Sequence, residues 1–586
     1  MKKCLAFILA LMMVMACAVA SADYTAGTYT ATATGMGGEF PVTVTFDENA
    51  IVSIEIGENN ETKGLGTIPL EQLPGKIIEN QSVAIDAIGG ATVTSNALLA
   101  AVLDCVAQAG GDVDAWTAKQ AEQSAAQAED IHTDVAIVGG GAAGLTAGIN
   151  AKYNGAENVI LLEKMAFCGG STALSGGAMT RVAMEGDPEG TMTAQEMYDY
   201  FLTMASEQVE RDQLQLYVDH SDDLWRWFTS LEGGETTHMF HNTPENVYTT
   251  YPDGQGQGVV NVLENEAVKN GVDIRKNHNV TALLTDESGT VVGVKCTNAD
   301  GAEQNVYAKS VILATGGFAN DKDMLMRFGG TNAGTYVVRK GAGGANGDGI
   351  RMAEAVGAKL VFGDKWDTSG QNTDWIPYRP EGFTMSLFYS SQLYGIMVND
   401  EGNRFVNESL MLPRIYEEMV NQINADHVTF HAIETLEGFE ACGATAQDLE
   451  AAVAQGAISK YDTIEDVAAA IGVPAENLKA TIEGYASAET DELGKSAAYL
   501  GKLNPKGPFY VGETKPQRSG TMGGIAINTK SEVLDTNGNP IPNLYAAGET
   551  ANGTFFGNYY YICGNMVMHA MITGREAGIS AAANAK

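Results

Sequence analysis

The sequence predicts an α/β fold, and three observations predict it. Val135-Ala136-Ile137-Val138 is a short apolar run that breaks into Gly139-Gly140-Gly141-Ala142-Ala143-Gly144; a helix-compatible segment follows, and a second run, Val159-Ile160-Leu161-Leu162, closes on Glu163. Strand, G-x-G-x-x-G turn, helix, strand and acid at this spacing make the βαβ unit of a parallel sheet that binds a dinucleotide. Two later runs, Ser310 to Ala314 and Asn543 to Ala547, break at Gly316-Gly317 and at Gly548-Glu549, as further buried strands do.

Each glycine of the first turn has its own physical task. Gly139 permits the tight turn, Gly141 lets the backbone approach a pyrophosphate at the helix N-terminus, and Gly144 lets helix and strand pack closely, with Ala143 the small residue between them. Glu163, about twenty residues on, is expected to hold a ribose hydroxyl, with Lys164 beside it. Beyond lies Gly169-Gly170-Ser171-Thr172-Ala173-Leu174-Ser175-Gly176-Gly177, and such a density of small residues suits a backbone passing close to a flat ring system. Gly170, Ser171, Thr172, Gly176 and Gly177 are therefore expected to line the cofactor, as are Ala314, Gly316, Gly317, Gly548, Glu549 and Asn565.

With 586 residues the chain divides into several domains. A formal net charge of -38, from 35 basic and 73 acidic residues, repels nucleic acid and anionic membrane surfaces. Met1-Lys2-Lys3, an apolar run from Leu5 to Val19 and Ala20-Ser21-Ala22 read as a signal peptide over 1–22, so the mature protein is expected outside the cytoplasm, in the periplasm or at the cell surface. Cys17 stands in a poor lipoprotein box, and lipid anchoring there is the lesser alternative. The mature cysteines Cys105, Cys168, Cys296, Cys442 and Cys563 are odd in number and scattered, which predicts neither a disulfide framework nor a metal site. There is no C-x-x-C-H for a haem, so electrons are expected to arrive by another route.

Residues 23–112 are expected to form a first, small α+β module. Tyr29 to Thr34, Pro41 to Phe46 and Ile51 to Ile56 alternate at period two, and Asn96 to Ala109 is helix-like. Between them stands Asp86-Ala87-Ile88-Gly89-Gly90-Ala91-Thr92. It resembles the D-x-x-[ST]-G-A-T segment of the FMN-binding domains of electron-transfer subunits and of extracytoplasmic fumarate-reductase-like enzymes. The resemblance implies FMN held covalently through a phosphoester to Thr92 and attached by a flavin transferase; Gly89 stands where the family carries a hydroxyl residue. Read without it, the same residues make a turn and a helix cap. Residues 113–130, rich in Ala, Gln and Glu, read as a polar helical linker.

From residue 131 on, the four glycine landmarks in this order resemble the FAD-binding domain of the fumarate reductase and succinate dehydrogenase flavoproteins. The resemblance implies a Rossmann-like domain over 131–365 and 518–586 that binds FAD noncovalently, interrupted by an α+β capping domain at 366–517. In that capping region Gly402-Asn403-Arg404-Phe405-Val406-Asn407-Glu408 matches G-x-R-F-x-N-E, and the resemblance makes Arg404 the proton donor to substrate. Read from the residues alone, a guanidinium is a carboxylate clamp or an ion-pair partner of Glu408.

Other elements of the family differ. Asp364-Lys365-Trp366-Asp367 replaces H-P-T, Leu387-Phe388-Tyr389-Ser390-Ser391 replaces T-E-x-x-R, and Ser519-Gly520-Thr521-Met522-Gly523-Gly524 keeps the glycines of H-T-M-G-G without the histidine. The last arginine of the family is replaced within Gly557-Asn558-Tyr559-Tyr560-Tyr561-Ile562-Cys563-Gly564-Asn565. Two carboxylates of a dicarboxylate need several cationic donors when desolvated, so this set favours a bulkier, less charged substrate. Tyr559 and Tyr560 are expected to bond a carbonyl or donate a proton, packing being the alternative.

The reading is an exported two-flavin oxidoreductase that reduces an activated C=C bond, an enoate or enone, by hydride transfer from FAD, with covalent FMN relaying electrons. Its partners are a small-molecule electron acceptor and a membrane-bound or soluble donor. Two other readings stay open: a steroid-type ketone dehydrogenase running oxidatively, and a non-enzymatic electron carrier on the same scaffold.

Overall fold

The computed structural model describes residues 24–61, 66–85, 91–117, 127–204, 209–239, 248–329, 338–339, 342–362, 393–410, 412–441, 444–454, 456, 458–518, 520–556 and 560–586. The chain divides into two compact units, Met1–Ala126 with Met165–Phe167, and Gln127–Lys164 with Cys168–Lys586.

In the first unit the period-two segments are strands Gly27–Gly35, Gly38–Phe46 and Ile51–Ile56, paired antiparallel in that order. Phe40, Val42, Val44 and Phe46 all point to one face and are buried, as alternation requires. Helices Thr67–Asn80 and Thr92–Gln108 complete the hydrophobic core through Leu73, Ile77, Leu98, Val102 and Val106. The expected linker begins later than its composition suggests. Val113–Thr117 is a helical turn whose Trp116 is buried, with its indole N–H donating to the Tyr24 hydroxyl at 2.7 Å. A single aromatic anchor thus outweighs the polar residues around it.

The second unit is built on an eight-stranded sheet. Its main order is Asn279–Thr285, Val291–Thr297, Glu303–Leu313, Ile131–Val138, Val159–Leu162, Asp273–Arg275, and Pro540–Ala546 also pairs with Glu303–Leu313. The strands from Ile131, Val159 and Pro540 run parallel to Glu303–Leu313 or to each other. Leu313 pairs with Val138 and with Ala546, and Val138 pairs with Leu162. Four carboxyl ends therefore lie level along one edge, the edge at which open α/β sheets bind ligands. Helix Ala142–Tyr153 and the C-terminal helix Asn565–Ala585 pack closely, because a side chain at Gly574 or Gly578 would collide with the carbonyls of Ala143 or Ala147.

Within the expected capping region a second sheet forms, in the order Ile396–Val398, Phe430–Thr435, Phe509–Thr514, Ser459–Tyr461, all antiparallel. Helices Leu412–Asn424, Ile464–Ile471 and Ala475–Ser487 accompany it, so the region is α+β. Its core holds Ile396, Val398, Ile433, Leu478, Ile482 and Phe509.

Candidate active site

The first turn after Val138 is tight for a steric reason. Gly139 has φ +106°, and a Cβ there would strike the Ala314 carbonyl; one at Gly144 would strike the Gly139 carbonyl. Both positions need glycine, and the turn delivers the helix N-terminus at Ala142 to the strand ends, where backbone N–H groups favour an anion. Gly141 bridges Gly169, and the Gly169 N–H donates to the Gly140 carbonyl at 2.9 Å. The Ala142 N–H donates to the Thr172 hydroxyl at 3.5 Å. Gly170–Leu174 is a helical turn, and the Gly177 backbone lies against Gln255 and Gly256.

Glu163 is buried, and its Oε2 accepts the Gly140 N–H at 2.7 Å. The acid thus holds the glycine turn itself. Lys164 pairs with Asp348 at 2.6 Å. Ala314 and Ala547 donate their N–H groups to the carbonyls of Val138 and Leu313, carrying the ladder to its end. Glu549 joins three segments: its Oε1 accepts from the Thr521 N–H at 2.8 Å and the Thr521 hydroxyl at 3.2 Å, and its Oε2 accepts from Ser171 at 3.1 Å. Burial pushes its carboxyl up. A side chain at Gly317 would run into Thr521 and Glu549, and the Thr550 hydroxyl donates to the Gly316 carbonyl at 3.1 Å. Gly548 lies against Ala143. The Gly139–Gly144 turn, Glu163, Ser171, Gly316-Gly317, Gly548 and Glu549 therefore converge on one sheet edge.

Asn565 opens the C-terminal helix behind Gly564, is fully buried, and has both amide atoms without a hydrogen-bond partner. An unpaired buried carboxamide costs several kcal/mol, on the order of 1–3 per unsatisfied group. Together with the glycine cradle and the helix N-terminus it fits a dinucleotide that presents polar ring edges, as FAD does.

In the first unit Thr92 is the first residue of helix Thr92–Gln108; Asp86 to Gly90 lie outside the described residues. Two neighbours fit a bound flavin that sequence reasoning missed. Glu61 accepts the Gly37 N–H at 3.1 Å on Oε1, while its buried Oε2 has no partner. Thr94, buried, accepts the Met36 N–H at 3.4 Å and ties the hairpin tip to the helix start.

Arg404 sits in a buried ion-pair cluster of the capping region. Its Nε and Nη2 donate to Glu408 at 2.9 and 2.8 Å, and its Nη1 and Nη2 to Asp491 at 2.6 and 3.3 Å, while the guanidinium stacks on Tyr485 at 4.5 Å. Burial opposes its charge, but Glu408 and Asp491 outweigh burial and push the group further up. Two carboxylates thus hold the guanidinium, the ion-pair arrangement that the residues alone also allow. Lys495 completes the cluster, donating to Glu408 at 3.1 Å and to the Gly395 carbonyl at 2.7 Å.

The tyrosines separate. Tyr561 is fully buried, donates to the Phe555 carbonyl at 2.6 Å and stacks on Phe201, which is packing. The Tyr560 hydroxyl accepts the Gly564 N–H at 2.8 Å, next to Asn565. Tyr559, Trp366, Phe388, Tyr389 and Ser519 lie outside the described residues.

Comparison with known proteins agrees with this geometry. Residues 134–567 match the FAD binding domain family, and residues 35–107 match the FMN-binding domain family. The chain is 31% identical to the urocanate reductase of Eggerthella lenta over 95% of its own length and 92% of that protein's. It is 28% identical to the vinyl phenol reductase of Lactiplantibacillus plantarum over 77% of its own length and 96% of the other. Among solved structures it is similar to the open conformation of a flavocytochrome c3 fumarate reductase, at TM-score 0.62 and 26% identity, covering 78% of this chain and 79% of that one.

Proposed function

The chain belongs to the flavoprotein fumarate reductase superfamily, with an FMN-binding domain ahead of its FAD-binding domain, and from that membership we propose that it reduces a bulky or aromatic activated C=C bond outside the cytoplasm. It is a flavin-dependent reductase, and its flavins are FAD and FMN. The observation that carries the reading is the convergence of the Gly139–Gly144 turn, Glu163, Gly316-Gly317 and Glu549 on one sheet edge. These residues would hold FAD, which when bound supplies hydride to an electron-poor carbon.

The chain's own residues do the rest. The helix N-terminus at Ala142 would hold the anionic pyrophosphate. Glu549 locks the loops of Ser171 and Thr521 together, which keeps the cradle rigid. Tyr560, whose oxygen accepts the Gly564 N–H beside Asn565, is the candidate to orient or protonate a substrate group. In the first unit Thr92 would carry FMN through a phosphoester made by a flavin transferase, and Glu61 and Thr94, which hold the neighbouring Gly37 and Met36, would line it.

Substrate bulk is supported by the replaced dicarboxylate motifs and by the relatives named for urocanate and vinyl phenol, compounds in which an aromatic ring is conjugated to the double bond. Each well-buried ring contributes on the order of 1.5 to 3 kcal/mol, so two such contacts shift specificity by about two to four powers of ten. The signal-like N-terminus supports export. Anaerobic turnover with a reduced viologen donor tests the reading: an aryl enoate, a vinyl phenol, acrylate and fumarate are compared, and at least about a hundredfold preference in kcat/KM for an aromatic substrate over fumarate is expected. Efficient fumarate reduction would sink it.

A further inference from the structure

Four residues beyond Asn565 on the same helix stands His569, buried to 2% exposure, and neither ring nitrogen has a hydrogen-bond partner. Residues four apart on a helix lie on one face about 5–6 Å apart at Cβ. Two phenyl rings pack on the imidazole. Phe555 stacks on it at 4.6 Å and Phe556 meets its edge at 5.5 Å. Thr573, one turn further on, donates its hydroxyl to the His569 backbone carbonyl and accepts the Gly548 N–H. Asn565, with both amide atoms unpaired, is thus the polar side chain on its own helix that remains for His569 to meet.

We infer that His569 is a positioning residue that couples to the Asn565 carboxamide and fixes which way that amide faces the flavin. Two buried, unpaired polar groups on adjacent turns each carry a desolvation cost that their coupling through one enclosed water removes. The ring is kept neutral, because burial pushes it down to about 3. A neutral imidazole has one donor and one acceptor, so it can meet either end of an amide while the other end serves the cofactor. The aromatic wall of Phe555 holds the ring plane, which restricts the coupling to one geometry. The inference rests on the FAD reading above, since Asn565 matters to catalysis only if flavin binds beside it.

A double-mutant cycle on the holoenzyme tests it. His569→Phe is made in the wild type and in an Asn565→Ala background, with Asn565→Ser as a milder second background, and noncovalent FAD released on ultrafiltration is followed against time. His569→Phe is expected to speed FAD loss about tenfold in the wild type and by less than about twofold once Asn565 is gone, with His569→Gln recovering most of the loss. The melting temperatures of the same proteins stripped of FAD carry the same cycle and need no flavin. Additive effects in both measurements overturn the coupling. A wild-type enzyme that holds no FAD would instead sink the cofactor reading, and the melting cycle would still decide this one.

Discussion

Arg404 and Asp491 lie 87 residues apart in the chain and 2.6 Å apart in the structure, both largely buried. With Glu408 and Lys495 they form a closed set of two cations and two anions that ties the turn after Ile396–Val398 to the segment after Ala475–Ser487. Glu408 also accepts the Met397 N–H at 2.8 Å, so the set fixes the edge of the capping sheet. Removing one partner of such a set leaves a buried charge uncompensated and costs about 3–5 kcal/mol. Arg404→Met is therefore expected to lower unfolding stability by about that amount in denaturant titration. Arg404→Lys, which keeps the charge without the planar fork, is expected to lose less and to retain turnover within about fivefold per folded, FAD-loaded molecule. Turnover falling a thousandfold at unchanged stability would make Arg404 the proton donor.

Glu434 stands beside that balanced set as a surplus acid. Its Oε1 accepts the Thr435 N–H at 2.9 Å, its Oε2 has no partner, and burial pushes its carboxyl well above the usual range, against the attraction of Lys495 and with the repulsion of Glu408 and Glu437. The folded state thus binds a proton that the unfolded state releases more readily. The stability this contributes is full below the ordinary glutamate pKa and is lost as pH rises through the raised folded value. Glu434→Gln is expected to flatten the decline in melting temperature on the alkaline side relative to the wild type. Parallel curves for the two proteins would show that Glu434 ionises without cost.

Thr92 supplies a direct chemical prediction. Thr92→Ala is expected to abolish the flavin that survives denaturation, read as in-gel fluorescence and as intact mass, while extractable FAD stays at its wild-type level. Glu61→Gln, which keeps the acceptor of the Gly37 N–H, is expected to leave folding unchanged. Retention of covalent flavin in Thr92→Ala would place the attachment elsewhere.

What could be read from the sequence was whatever short-range sterics dictate. Gly139 and Gly144 follow from the backbone collisions they avoid, and the strand ends at Leu313 and Ala546 follow from apolar runs that stop at glycine. For Arg404 the Glu408 pair was legible and the Asp491 pair was not, because Asp491 arrives from a distant segment with no local pattern to announce it. Trp116 was hidden in a polar stretch, although one buried aromatic decides where a module ends. Glu61 and His569 carry no motif. Only burial makes their unpaired atoms conspicuous, and for His569 the one local signal was a polar residue four positions after Asn565 in an apolar helix.

His569 also gives a pH prediction that does not depend on flavin. Burial alone pushes its imidazole down to about 3 from an ordinary value of 6.5, and the rings packed on it, Phe555 and Phe556, offer no charge to offset that. The unfolded state therefore binds a proton between these two values that the folded state refuses. The stability contributed by the neutral ring is full above the unfolded pKa and is lost as pH falls toward the folded one. Each pH unit in that window corresponds to about 1.4 kcal/mol, so at two units below the unfolded value the loss approaches about 3 kcal/mol. His569→Leu puts a group that cannot titrate against the same two phenyl rings. It is expected to differ from the wild type by a constant at pH 7 to 9 and to gain on it steadily as pH falls from 6.5 to 4.5, measured as unfolding free energy in denaturant. A difference that stays constant across the acid range would mean that His569 finds a proton without leaving the fold, and that its surroundings are wetter than its burial implies.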